Sequence, residues 1–145
     1  MQVFITGSPF YTAERLDGRR LNKQIIECRQ IMRAINVESD EWANHPCVNM
    51  YREHLEWLAY YLRTLVYYKE GLMADSRFWS MQADCVRPSF HTAEYFVQMK
   101  RRLFTKDNRF YCQWATLGES DVNWYYVDGE WLYYRNGKRI SLPQE

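Results

Sequence analysis

Arg20, Lys23, Gln24 and Glu27 are separated by steps of three, four and seven residues, so on a helix they share one side. Two cations then stand beside an amide and a carboxylate. Cations in that company grip phosphate, and a carboxylate among them can move a proton or stabilise a developing positive charge. The stretch around them, residues 14–33, holds six cations (Arg15, Arg19, Arg20, Lys23, Arg29, Arg33) against three acids (Glu14, Asp17, Glu27). A second stretch, residues 100–109, holds five (Lys100, Arg101, Arg102, Lys106, Arg109) against Asp107 alone. The acids gather elsewhere, in Glu38, Asp40, Glu41, Glu53 and Glu56. A formal net charge of +1 decides nothing by itself. This uneven distribution predicts one basic and one acidic face, which fits a phosphate partner. The plainer readings are a solvated charged face and, for Glu27, an ion pair with Lys23 one turn earlier.

These groups need elements to hold them. Gly7-Ser8-Pro9 makes a turn, and Thr12 reads as the N-cap of a helix over residues 12–35, with Leu21, Ile25, Cys28, Met32 and Ile35 as its buried stripe. An acidic loop over 36–43 leads to Asn44-His45-Pro46, which opens a second helix reaching about residue 69. Its core face is Val48, Tyr51, Leu55, Leu58, Leu62 and Leu65 or Val66, and Gly71 stops it. Residues 73–88 show no firm period, although Phe78, Trp79 and Met81 suggest partial burial. Pro88-Ser89 precedes a third helix over 90–104, whose closing cations complement its dipole. The tail, about 123–145, carries aromatic runs joined by Asp128-Gly129 and Asn136-Gly137, the signature of short strands in a hairpin. The expected fold is mainly α: one compact domain over 1–145, about three principal helices, and an aromatic C-terminal tail or small β-hairpin.

Length and composition agree with that outline. A chain of 145 residues with 47% hydrophobic side chains can bury one core, and 17% aromatic residues exceed what that core needs, so some rings are expected at the surface. Cys28, Cys47, Cys85 and Cys112 form no Cys-x-x-Cys pair and read as reduced, cytosolic thiols. The most apolar stretch, residues 55–68, is interrupted by Glu56 and Arg63 and is too short to span a bilayer.

Four segments occur together in an order that resembles the pyrimidine-dimer DNA glycosylase family, the group that includes phage endonuclease V. They are a very short lead into the basic helix at 13–27, the helix over 45–71, Phe90-His91 leading to Arg102-Leu103-Phe104-Thr105-Lys106-Asp107, and Trp124-Tyr125-Tyr126. The resemblance implies a mainly helical enzyme lying on double-stranded DNA that contains a lesion or modified base. Such an enzyme cuts the glycosidic bond of a damaged pyrimidine and then nicks the abasic site. It also implies attack on C1′ by the N-terminal α-amine, with no cofactor or metal, by a monomer in the cytoplasm of a bacterial or phage-infected cell. An α-amine titrates near 7.7–8.0, so an appreciable fraction is neutral at physiological pH. Bulky Gln2 opposes removal of the initiator methionine, so the expected nucleophile is the Met1 amine.

Carried across, Arg20 and Lys23 match the basic side of the family's first helix, with Gln24 on the same face, and Arg102 with Lys106 match its later basic pair. His91 matches a histidine before that pair, where a structural hydrogen bond is an equal reading. Trp124 and Tyr125 match the aromatic tail, where packing within a hairpin is the alternative to stacking on DNA. The family's helix-one glutamate falls on Arg20, Leu21 or Asn22 according to register, none of which can replace it. Glu27 is the candidate in its place. Three rivals remain: a non-catalytic nucleic-acid-binding protein, an aromatic-rich protein-interaction domain, and a metal-dependent hydrolase built on His45, His54 and His91. The last lacks the paired ligand spacing that zinc sites favour.

Overall fold

The computed structural model describes residues 1–72 and 85–142. Its first helix, α1 (Pro9–Arg15), begins earlier than expected, because the Ser8 hydroxyl accepts from the Tyr11 N–H and Pro9 supplies a preset first turn. Thr12, expected as the cap, lies inside α1 and is buried. Its hydroxyl accepts from the Thr6 N–H at 3.0 Å and donates to Ser8 O at 2.9 Å. The single helix expected over 12–35 is broken: Leu16 and Asp17 are extended, and α2 (Gly18–Asn36) starts anew. The break is held from far away in sequence. The Tyr111 hydroxyl accepts from the Asp17 N–H at 3.0 Å and donates to its carboxylate at 2.5 Å.

The second expected helix is also two, α3 (Pro46–Tyr51) and α4 (Leu55–Lys69), with His45 capping α3 through its ring. No glycine or proline marks this interruption. Its effect is on ring placement: in one continuous helix Tyr51 and Trp57 would point roughly 120° apart, whereas here they stack at 5.7 Å and 20°. Trp57 then stacks on Tyr61, so a column of rings runs into the core. The third helix, α5 (Ala93–Lys106), begins at its Thr92 cap, leaving Phe90 and His91 in the preceding turn. A 3₁₀ helix (Cys112–Leu117) packs on α5. The expectations for Phe78, Trp79 and Met81 lie outside the described residues.

The tail forms a three-stranded antiparallel sheet in the order β1 (Asn123–Val127), β2 (Glu130–Arg135), β3 (Lys138–Ile140). Both turns are two-residue loops with positive φ throughout, Asp128-Gly129 (53°, 81°) and Asn136-Gly137 (52°, 75°), the conformation that Asx-Gly pairs adopt at least cost. β1 packs on α3 and α5. The protein is thus mainly α, with a sheet in place of a simple hairpin. Its core holds four fully buried tyrosines, Tyr51, Tyr61, Tyr95 and Tyr111, and each hydroxyl has a partner. Much of the aromatic excess is therefore internal. Among the described residues, no helix is long and apolar enough to cross a membrane.

Candidate active site at the amino terminus

Residues 1–6 form neither helix nor strand, yet Val3 and Ile5 are fully buried, so their peptide groups need partners that no ladder supplies. Side chains provide them. Tyr125 donates its hydroxyl to Met1 O at 2.6 Å, Tyr95 to Val3 O at 3.1 Å and Tyr61 to Phe4 O at 2.8 Å. The Gln2 amide spans to β1, donating to Trp124 O and accepting from the Trp124 N–H. Gln24 has the largest share. Its Nε2 donates to Gln2 O at 2.9 Å and to the Glu27 carboxylate at 3.0 Å, while its Oε1 accepts from the Phe4 N–H at 2.9 Å and the Tyr61 hydroxyl at 3.3 Å. The chain terminus is threaded through the protein and pinned at nearly every residue.

This threading sets the Met1 end of the chain near Glu27, the Gln24 amide bridging Gln2 O and the carboxylate. Burial raises the Glu27 carboxyl above its usual range, and the charge of that amine is the foremost influence pulling it back, followed by Lys23, the Gln2 peptide N–H and Lys106. Four cations converge on the same place from two helices. Lys106 is held below the usual lysine range by burial and by the neighbouring charges of Arg102, Lys23 and Arg20. Arg102 is likewise disfavoured by burial, and among the described residues its Nε has no partner. Beside them Phe4, Arg19, Arg20, Lys23, Gln24 and Lys106 line a hollow of about 170 Å³. Cations that repel one another around an open hollow are stabilised by an anion entering it, and a phosphate has the charge and the oxygens to do so.

Of the residues expected from sequence, the fold brings together Met1, Glu27, Arg20, Lys23, Arg102 and Lys106. Arg20 also ties the two helices, pairing with Asp17 at 3.2 Å and Asp107 at 3.7 Å and donating to Lys106 O. The other four lie inside the protein, which revises their expected contact with DNA. Gln24 is 1% exposed, and turning it outward would orphan buried peptide groups at about 1–3 kcal/mol each. It ties the Gln2 and Phe4 backbone to the Glu27 carboxylate. His91, also 1% exposed, bonds the Tyr51 hydroxyl at 2.8 Å and stacks on Tyr95, and burial pushes its pKa down to about 3. Trp124 packs edge-on to Trp131 and Tyr133. Tyr125 faces His45 and Tyr134 and holds Met1.

Sequence reasoning did not single out Arg19 or Phe4 for the site. Arg19 stands four residues before Lys23, a spacing that could have placed it on the basic side. His45 was legible as a cap, which it is, through Nδ1 to the Cys47 N–H, and as part of a polar run, residues 42–46, that could border the site. Nothing local announces Phe4 at the hollow, because its place follows from the threading.

Among known proteins, the family model described as pyrimidine dimer DNA glycosylase matches residues 1–68. That span carries the thread, α1, α2, α3 and most of α4, including Met1, Arg20, Lys23, Gln24 and Glu27. No curated protein and no solved structure gives a significant match. Arg102, Lys106 and the sheet fall outside the matched span, so their part in the site rests on geometry.

Proposed function

We propose, from the match of residues 1–68 to the family model described as pyrimidine dimer DNA glycosylase, that the chain excises damaged pyrimidines from double-stranded DNA through its own terminal amine and then acts as a lyase. The observation that carries this reading is the Gln24 amide that bridges Gln2 O and the Glu27 carboxylate, setting the chain terminus near a partly buried carboxyl on which its charge acts, beside a cationic hollow. The neutral amine attacks C1′ of the damaged nucleotide, the C1′–N1 bond breaks, and the base leaves with the electron pair. Glu27, raised by burial, accepts the proton that the nitrogen sheds. Glu27 returns that proton to O4′ as the C1′–O4′ bond breaks, which gives an iminium at C1′; the iminium acidifies the C2′ proton, and its loss to water expels the 3′ phosphate by β-elimination. Arg102, Lys106, Lys23 and Arg19 bind the flanking phosphates, and the pyrimidine lesion lowers the cost of unstacking the nucleotide.

Other nucleophiles nearby are worse placed to react. Burial pushes the Cys47 thiol up to about 12 and the Cys28 thiol well above its ordinary value, so neither is a thiolate at neutral pH. Lys106 is the one competing amine, since its pKa is lowered. The test is borohydride trapping on a duplex containing one abasic site, with the adduct mapped by peptide mass. The expected adduct is on the Met1 nitrogen. An adduct on Lys106, or none with freshly prepared protein, refutes the mechanism.

A second measurement separates phosphate contacts from chemistry. Lys106→Ala is expected to weaken binding of undamaged and damaged duplex alike, by several-fold, and to reduce the slope of log K against log salt by about 1. An unchanged slope would remove Lys106 from the phosphate contacts.

A further inference from the structure

His45 holds a position that capping alone does not explain. Its Nδ1 accepts from the Cys47 N–H at 3.1 Å, a task that serine, aspartate or asparagine performs as well at a helix start. That bond also selects the tautomer: with Nδ1 an acceptor, the ring proton sits on Nε2. The ring meets Tyr125 edge-on at 5.6 Å and 90°, and Tyr125 is the residue whose hydroxyl holds Met1 O. It also meets Trp42 at 5.7 Å, and Trp42 is 37% exposed, so this ring pair borders solvent. Among the described residues the Nε2–H has no hydrogen-bond partner. Burial and the Met1 charge hold the imidazole down to about 4, so near neutral pH it is an uncharged donor and cannot serve as an acid.

We propose that His45 is a second catalytic residue, which presents its neutral Nε2–H to the pyrimidine as it leaves C1′. This rests on the reading of Met1 as nucleophile. As the amine nitrogen bonds to C1′ and the C1′–N1 bond breaks, the electron pair passes to the departing base and charge gathers on its O2. His45 donates a hydrogen bond to that oxygen and keeps its proton, the base takes a proton from water after release, and the amine proton goes to Glu27. A fixed neutral dipole aimed where charge develops stabilises the transition state without reorganising, as donors of an oxyanion hole do.

The inference has a signature that a structural role lacks, because the donor matters only when there is a base to leave. His45→Ser keeps a capping hydroxyl and removes the donor. It is expected to slow excision from a duplex carrying one thymine dimer by about 10²- to 10³-fold, while strand cleavage and borohydride trapping on an abasic duplex stay at the wild-type rate. His45→Asn, which caps α3 but sets its amide short of the imidazole Nε2, is expected to show the same split, so the test survives if the serine variant folds poorly. Loss of both activities together, or of neither, overturns the proposal. Failure of the wild-type protein itself to form an adduct at Met1 is the distinct result that refutes the nucleophile reading.

Discussion

Glu27→Gln is expected to lower excision by about 10²- to 10⁴-fold, the usual worth of a positioned acid-base group, while leaving the folded protein at least as stable near neutral pH. The two halves of this prediction have one cause. Burial raises the Glu27 pKa above its unfolded value, and the nearby Met1, Lys23 and Lys106 charges offset that only in part. For a carboxyl raised on folding, the associated stability is fully present below the unfolded pKa and is lost as pH rises through the folded value. The wild-type fold therefore carries a disfavoured charge above that window. Glutamine does not, and its amide oxygen can still accept from Gln24 and from the Gln2 peptide. Melting curves against pH should show the variant equal to the wild type in acid and at or above it through the window. A variant that excises at the wild-type rate, or that melts earlier at neutral pH, would show Glu27 to be a structural ion-pair partner.

How the site forms explains which parts of it could be read from sequence. The helical spacing of Arg20, Lys23, Gln24 and Glu27 was sufficient to put them on one side of α2, and the Asx-Gly pairs were sufficient for both turns of the sheet. The depth of each residue was not legible, because depth depends on what lies opposite. Gln24 sits at the edge of the apolar stripe and faces inward only because residues 1–6 run over it. His91 looks like a surface histidine before a basic helix until Tyr51 and Trp57, from α3 and α4, close around it. The helix breaks at 16–17 and 52–54 follow the same logic, since Tyr111 holds the first and ring stacking accompanies the second. Arg102 and Lys106 were visible as a basic cluster, yet their convergence with Lys23 and Arg20 required α5 to end beside the start of α2, where Arg20 reaches Lys106 O.

Placing one glycine before Met1, or acetylating the Met1 nitrogen, is expected to abolish adduct formation and to reduce excision by more than about 10²-fold, while duplex binding stays near the wild-type value. Acetylation removes the nucleophilic lone pair. The added glycine leaves an amine present but moves it, and the thread has no slack to absorb the shift. Met1 O, Gln2 O, Val3 O and the Phe4 N–H and C=O are each bonded to a different buried side-chain atom. One more residue therefore displaces the amine by up to ~3.3–3.6 Å, and misplacement by about 1 Å can already cost 10²-fold. Binding should persist because Lys23, Lys106 and Arg102 are carried by α2 and α5, which the extension does not touch. Gel-shift and trapping assays on the same preparations make the comparison direct. If the extended protein still traps abasic DNA, peptide mapping decides the matter: an adduct on Lys106 would make the lysine the nucleophile, and the pinned terminus would then be an element of the fold alone.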